Sequence, residues 1–247
     1  ESLTEQINFQ TRLGKKLGLP CSVDLFIREP GHIKDRVDFI SSQIEGPFLI
    51  DLPFGQVELK KSVLEYISQR ELQSRVIYNS INFATSEEEL ELLRRYGIKS
   101  AILLSLDMEN LGTDGSLSIL EKILIPFADK AGIENRLVDP GTMPFNSDNV
   151  AGEVLRSVMA IKSKTGLPTG CAMINLAESW EYFKGKKETG YVEAIASLNS
   201  LAKLMGADFL IYGPLSIAQN VFPSIAMADR ICAEANKRYF GTNSSIC

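Results

Sequence analysis

Short, almost continuously apolar runs alternate with longer amphipathic, charged stretches along the whole chain. The apolar runs lie at 21–27 (CSVDLFI), 47–51 (PFLID), 75–81 (RVIYNSI), 100–106 (SAILLSL), 135–139 (NRLVD), 168–175 and 208–212 (DFLIY). Strands that read this way are buried on both faces, which a parallel sheet covered by helices provides. The stretches between them read as helices. Ser2-x-x-Glu5 and Thr85-x-x-Glu88 have the capping-box pattern at the heads of two of these, 2–16 and 86–96. In the second, Leu90, Leu93 and Tyr96 form one apolar face and the remainder is charged. Gly18, Gly97, Gly132, Gly166 and Gly206 each stand between an amphipathic stretch and the next apolar run. A left-handed residue closes a helix there, and glycine adopts that conformation without penalty. The runs at 47–51 and 75–81 lack such a glycine.

Seven strands, spaced roughly 25 to 40 residues apart and each followed by a helix, predict an α/β fold with a parallel sheet. A doubly wound nucleotide-binding sheet would show a glycine-rich first turn. Neither GxGxxG nor GxxxxGK[ST] is present. The expectation is a (β/α)8 TIM barrel formed as one domain over 1–247, the usual size for that fold. Because the sequence opens on a helix, the first strand of the barrel is expected upstream of Glu1. The tail after Phe240 reads as a frayed end.

Composition narrows the chemistry. The formal charge is −5 and there is no long basic run, which argues against a nucleic-acid surface. No apolar run is long enough to span a bilayer, and no signal-peptide order opens the chain. Cys21, Cys171, Cys232 and Cys247 are scattered and form no CxxC. They read as reduced thiols of a cytoplasmic protein. The one histidine, His32, reads as a solvated loop residue, so metal catalysis through side-chain ligands is not expected.

The C-terminal ends of barrel strands carry the chemistry. Asp24 lies on the first run, Asp51 ends the second, and Asn79 lies on the third with Asn82 just beyond. Asp107 follows the fourth, Asp139 ends the fifth, and Asn175 ends the sixth with Glu178 beyond. A row of carboxylates and carboxamides suits a neutral ligand rich in N–H donors. A pterin is such a ligand: its amino group and ring N–H can donate side by side to one carboxylate. Asp and Asn also favour strand ends for local turn chemistry, so each residue alone has that second explanation.

The strings FLIDLP, IYNSIN, LVDPGTMP, GCAMINLAESW, DFLIYGPL and VFPSIAM, between about Val23 and Ala226, carry a family resemblance. The chain resembles the pterin-binding, corrinoid-dependent methyltransferases, and within them the H subunit of tetrahydromethanopterin S-methyltransferase and its bacterial relatives of glycine betaine breakdown. The resemblance implies methyl transfer between cobalamin, carried by a partner corrinoid protein, and N5 of tetrahydrofolate. Methyltetrahydrofolate is then the methylated form, and tetrahydromethanopterin the alternative pterin. It implies pterin contacts from Asp51, Asn79 and Asp139, with Asp139 on the amino-pyrimidine edge. It implies a catalytic Asn175 near N5. Asn82 and Asp107 join the candidate pterin contacts. Residues 141–143 and 114–121 depart from the archaeal pattern, which favours tetrahydrofolate. A homodimer is compatible with this reading.

Three other readings stay beside it. Asp139 and Glu178 could serve as a glycosidase pair, although Trp180 is the one tryptophan available to stack a sugar. A phosphate-binding aldolase or isomerase would want more glycine than Gly213-Pro214 after the last strand. A non-catalytic pterin-binding subunit of a methyl-transfer complex would show the same residues. Trp180, Tyr182 and Phe183 either pack a helix or line a ligand. The lysines of KGKK at 184–187 read as a solvated helix end or as contacts for a folate tail.

Overall fold

The computed structural model describes residues 2–145, 150–183 and 189–241. The KGKK lysines, Cys247 and the tail from 242 onward lie outside the described residues. The chain forms two compact units, Ser22–Pro140, and Glu1–Cys21 with Gly141–Cys247. Each is described in turn.

The first unit is a five-stranded parallel sheet in sequence order, β1 (Asp24–Phe26), β2 (Phe48–Asp51), β3 (Val76–Ile81), β4 (Ser100–Leu104) and β5 (Asn135–Asp139). The connections are α2 (Ile33–Gln43), α3 (Val57–Gln69), α4 (Glu87–Arg95) and the pair α5 (Thr113–Ile119) and α6 (Ile125–Ala131). A wide π turn over Leu120–Leu124 joins the last two. It ends two residues before Pro126, which has no N–H to continue the α-helical ladder. Along β2 and β3, Phe48, Ile50, Val76 and Tyr78 are fully buried, while the alternate residues Leu49, Asp51, Ile77 and Asn79 are only partly so. Period-two alternation thus puts the helix-covered residues on one face and the candidate site residues on the other.

The second unit holds α1 (Leu3–Leu17), α7 (Glu153–Thr165), β6 (Gly170–Cys171), α8 (Ile174–Ser179), α9 (Tyr191–Leu204), β7 (Phe209–Leu210) and α10 (Ala218–Phe240). β6 and β7 pair in parallel. Their approach is so close that a Cβ on Gly170 would stand 2.1 Å from the Phe209 carbonyl oxygen, so only glycine fits. All five glycines expected to cap helices have left-handed φ, between 71° and 98°. The capping box of Ser2 and Glu5 forms, with Glu5 Oε2 2.7 Å from the Ser2 N–H.

Three details differ from the sequence expectation, each for a local reason. The cap of α4 is Ser86, whose hydroxyl accepts from Glu89 N–H at 3.2 Å, and not Thr85. The Thr85 hydroxyl instead accepts from Asn82 N–H at 2.9 Å and belongs to the preceding turn. The polar side of α4 is not all solvated, because Glu89 is buried. The 168–175 run is a strand only at Gly170–Cys171, and Asn175 lies in the first turn of α8. Met173 and Leu176 bury into one cluster and Ile174 and Ala177 into another, a spacing of three that a strand cannot give. A short apolar run does not distinguish a buried strand from a buried helix turn.

Where no glycine closes α2, Arg75 does the work from the start of β3. Its guanidinium donates to the carbonyls of Ser41, Ile44 and Gly46 and stands over the Phe48 ring, 5.6 Å from its centroid. At the end of α3 it is Glu71 that takes the left-handed conformation, at φ 55°.

Glu89 accepts from Lys60 Nζ at 2.7 Å and from the Tyr78 hydroxyl at 2.7 Å, and all three side chains are buried. Burial and the Glu89 charge hold the Tyr78 hydroxyl well above the usual phenol range. Removing one member of a buried ion pair strands the other charge. Lys60→Met should therefore cost about 3–5 kcal/mol in urea unfolding, and Lys60→Met with Glu89→Leu should recover most of that loss. Tyr78→Phe removes one hydrogen bond to a charged acceptor and should cost about 1.5–3 kcal/mol. A double variant no more stable than Lys60→Met alone would show that the packing, and not the stranded charge, sets the loss.

Candidate functional site

Five of the six candidate site residues lie in the five-stranded unit, at or just beyond the C-terminal ends of its strands. Asp51 and Asn79 are register partners on β2 and β3 and share one face of the sheet. Asn79 Nδ2 donates to Asp24 Oδ2 at 3.1 Å, so a third residue from β1 joins them. The sequence places Asp24 on the first strand but gives it no role in the site. No local sequence signal marks it, because its link to the site is the hydrogen bond from Asn79 on another strand. The Asn79–Ser80 peptide is cis, and the β3–β4 register shifts between Asn79 and Ile81.

Burial pushes Asp51 up to about 7, and the neighbouring Asp24 charge adds to the rise. The Leu52 N–H and Lys60 act in the opposite direction. Burial also raises Asp24, to about 6, with the Asn79 amide holding it down. Asp24 keeps the more solvent access of the two, which screens it, so half-buried Asp51 is the more strongly perturbed group.

Asp139 ends β5, is buried and pairs in register with Leu104 on β4. Its main-chain oxygen accepts from Ser105 N–H at 2.7 Å. Asn82 and Asp107 have structural duties. Asn82 Oδ1 accepts from Ala84 N–H at 2.9 Å. Asp107 Oδ1 accepts from the N–H groups of Glu109 at 2.9 Å and Asn110 at 3.2 Å. These are the local turns that Asn and Asp favour, and they leave Asn82 Nδ2 and Asp107 Oδ2 as the atoms with which either could meet a ligand.

Asn175 belongs to the other unit, exposed in the first turn of α8 with Glu178 one turn further on. The Tyr191 hydroxyl lies 3.4 Å from Glu178 Oε1. The aromatic residues divide: Phe183 is buried and stacks edge-on to Tyr191, while Trp180 and Tyr182 are exposed beside it. Tyr212 of the DFLIYGPL string donates to Gln10 Oε1 and packs edge-on to Phe222. Gly213 has a left-handed φ of 122°, and a Cβ there would stand 2.5 Å from Ile174. That string is thus a packing motif. His32 is exposed, and no three His, Cys, Asp or Glu side chains gather as a metal site among the described residues.

The family described as the tetrahydromethanopterin S-methyltransferase MtrH subunit matches residues 1–243. The chain belongs to the MtrH family. The H subunit of the putative mtx methyltransferase from Methanosarcina acetivorans is 36% identical over 241 residues, 93% of this chain and 76% of the relative. The H subunit of tetrahydromethanopterin S-methyltransferase from Methanothermobacter marburgensis is 32% identical over 242 residues, 94% of this chain and 76% of the relative. Among solved structures, dihydropteroate synthase from Thermus thermophilus matches with a TM-score of 0.60 at 14% identity, covering 96% of this chain and 89% of that one. The same enzyme in complex with 6HMPPP gives 0.54 at 15% identity, covering 94% and 87%. This MtrH-family chain thus has the (β/α) barrel fold of the dihydropteroate synthases, as its strand pattern predicts. Its family is one of methyltransferase subunits that act with a pterin. No helix among the described residues is long and apolar enough to cross a membrane.

The raised Asp51 carboxyl has a consequence for stability. Its folded pKa, about 7, exceeds the unfolded value near 4, so the folded chain keeps a proton that the unfolded chain gives up. The stability this contributes is fully present below about pH 4 and is lost as pH rises through about 7. Asp51→Asn cannot ionise. Its melting temperature relative to the parent should therefore climb between about pH 4 and pH 8 and then level off. A flat difference across that range, read from thermal melts in matched buffers, would place the Asp51 carboxyl in an ordinary solvated environment.

Proposed function

We propose that this chain binds a reduced pterin through Asp51, Asn79 and Asp139 and exchanges a methyl group between N5 of that pterin and the cobalt of a corrinoid held by a partner protein. The observation that carries the reading is the row of Asp24, Asp51 and Asn79 on three adjacent strands, Asp51 and Asn79 joined by register and Asn79 and Asp24 by a hydrogen bond. Such a row offers acceptors and donors side by side to the N–H-rich edge of a neutral heterocycle. Membership of a pterin methyltransferase family supports the same reading, and the fact that the relatives are subunits supports the partner. The names of the relatives favour tetrahydromethanopterin. The departures at 141–143 and 114–121 favour the tetrahydrofolate of the sequence expectation, and methyltetrahydrofolate would be the methylated form.

Methyl transfer of this kind is a displacement at carbon: the bond from the methyl group to one partner forms as the bond to the other breaks. The protein needs no nucleophile of its own and acts mainly by positioning. When N5 accepts the methyl group it loses its proton, and when N5 is the leaving group it must first gain one. A carboxyl that titrates near neutrality, as Asp51 does, is matched to that exchange. Asn82 Nδ2 and Asp107 Oδ2 are secondary pterin contacts. Asn175 keeps the role that the family resemblance gives it, as the carboxamide acting at N5.

Calorimetry with tetrahydromethanopterin and with tetrahydrofolate, followed by single-turnover methyl transfer from methylcobalamin, tests the proposal. Asp139→Asn should weaken pterin binding roughly ten- to a hundredfold, because it breaks a paired, charge-assisted contact worth about 1–3 kcal/mol. Asn175→Ala should slow single-turnover transfer by at least about tenfold while affinity changes by less than about threefold. An Asn175→Ala variant that transfers at the parent rate removes Asn175 from the chemistry. A parent chain that binds neither pterin removes the whole reading. Pterin binding without transfer, even when a methylated corrinoid protein is supplied, would make the chain a non-catalytic pterin-binding subunit.

A further inference from the structure

The last helix of the second unit, α10, holds an unbroken row of apolar residues in water. Pro223, Met227, Ile231, Ala235 and Tyr239 stand four residues apart, and every one of them is exposed. Met227 is 60% exposed, Ile231 55% and Tyr239 83%. Residues at that spacing lie one above the other on a helix, so the five form a single ridge. The side of α10 that its own unit covers is a different one, marked by Val221, Ile225 and Ala228. Beyond Ala233 the helix leaves that cover, and residues 234–239 are all exposed. A helix end with so little cover is marginal, and a contiguous apolar ridge in water marks an interaction surface.

Two observations say what covers the ridge. The first is its shape. A row of i±4 residues packs into another row of the same kind with the helices crossing at about 50°, the commonest arrangement of helix pairs. A second copy supplies an identical row, and a two-fold contact uses the same patch on both sides. The second is charge. Along one flank of the ridge run Arg230, Glu234 and Arg238, and along the other Ser224, Ala228, Cys232 and Asn236, none of them charged. Arg230 Nε donates to Glu234 Oε1 at 3.0 Å within the helix. With a second α10 laid antiparallel, about a two-fold axis midway between Arg230 and Glu234, each arginine meets the glutamate of the other copy. The charged flank is its own complement in that direction. Laid parallel, it would meet the uncharged flank and gain nothing.

We infer that this ridge of α10 is the contact surface for a second copy of the chain, and that two copies join through antiparallel α10 helices. Met227, Ile231 and Tyr239 form the apolar centre of the contact, and Arg230 and Glu234 exchange partners across it. The arrangement covers the bare end of α10 and keeps the charged flank paired at the rim. A contact between two helix faces is at the small end of specific interfaces, so the dimer forms in a concentration-dependent way. The ridge includes none of the residues assigned to the pterin, so the inference stands or falls apart from the pterin reading.

Sedimentation velocity of the whole chain tests this, with circular dichroism of each variant as the check on folding. The parent should pass from monomer to dimer between about 2 and about 200 μM, the range of a small specific interface. Ile231→Asp puts a charge at the centre of the ridge and should weaken the dimer at least about tenfold. Arg230→Glu alone and Glu234→Arg alone each set like charges against one another across the axis, and each should weaken it about fivefold or more. An equimolar mixture of those two variants restores opposite charges at both positions and should dimerise within about threefold of the parent. All three side chains are more than half exposed, so folding should survive the substitutions. A parent that stays monomeric at every concentration overturns the inference and leaves the ridge to a different protein. A dimer that Ile231→Asp weakens by less than about threefold forms through another surface, which also overturns it. So does a mixture that dimerises no better than either single variant, because the antiparallel pairing of the charges is then wrong.

Discussion

A single carboxylate, Glu89, holds three elements of the five-stranded unit in one arrangement. Its two oxygens take the ammonium of Lys60 from α3 and the hydroxyl of Tyr78 from β3, while its own backbone belongs to α4. None of the three groups can be satisfied by water where they lie, so helix, helix and strand must meet in one register or leave a charge unpaired. Tyr78 is the residue before Asn79 on the strand that carries the candidate site. Lys60 is also one of the charges acting on Asp51. The network under the sheet therefore fixes where Asn79 points, and it tempers the carboxyl that stands next to it.

Above that layer, the site follows from the alternation of a parallel strand. The inward residues of β2 and β3 are large and apolar because helices cover them, and the other face is left for Asp51 and Asn79. Two carboxyl groups set this close together beside a carboxamide cannot both be charged and solvated as they would be in water. Part of the raised affinity for protons at Asp51 comes from its neighbour and most comes from burial.

Much of this was legible in the sequence. Seven apolar runs, five glycines and one capping box describe local preferences that the fold keeps, because helix ends and buried parallel strands are decided within a few residues. The D, N, D positions at strand ends were legible for the same reason. What was not legible depends on distant partners. Glu89 reads as one more surface acid until Lys60 and Tyr78 are brought to it. Asp24 reads as an ordinary strand residue until Asn79 bonds to it. Asn175 reads as a strand end because MINLA is apolar, and only the two clusters that its neighbours fill reveal a helix turn.

The arginine that ends α2 has a consequence for how the unit assembles. Helices closed by their own glycine are complete as soon as they form. The carbonyls at the end of α2 must wait for Arg75, which arrives with the next strand but one. Until β3 docks beside β2, those carbonyls are paired only with water, so the first βαβ segment has no finished edge of its own. The end of α2 and the third strand should therefore become ordered, and exchange their amide hydrogens, as one cooperative block.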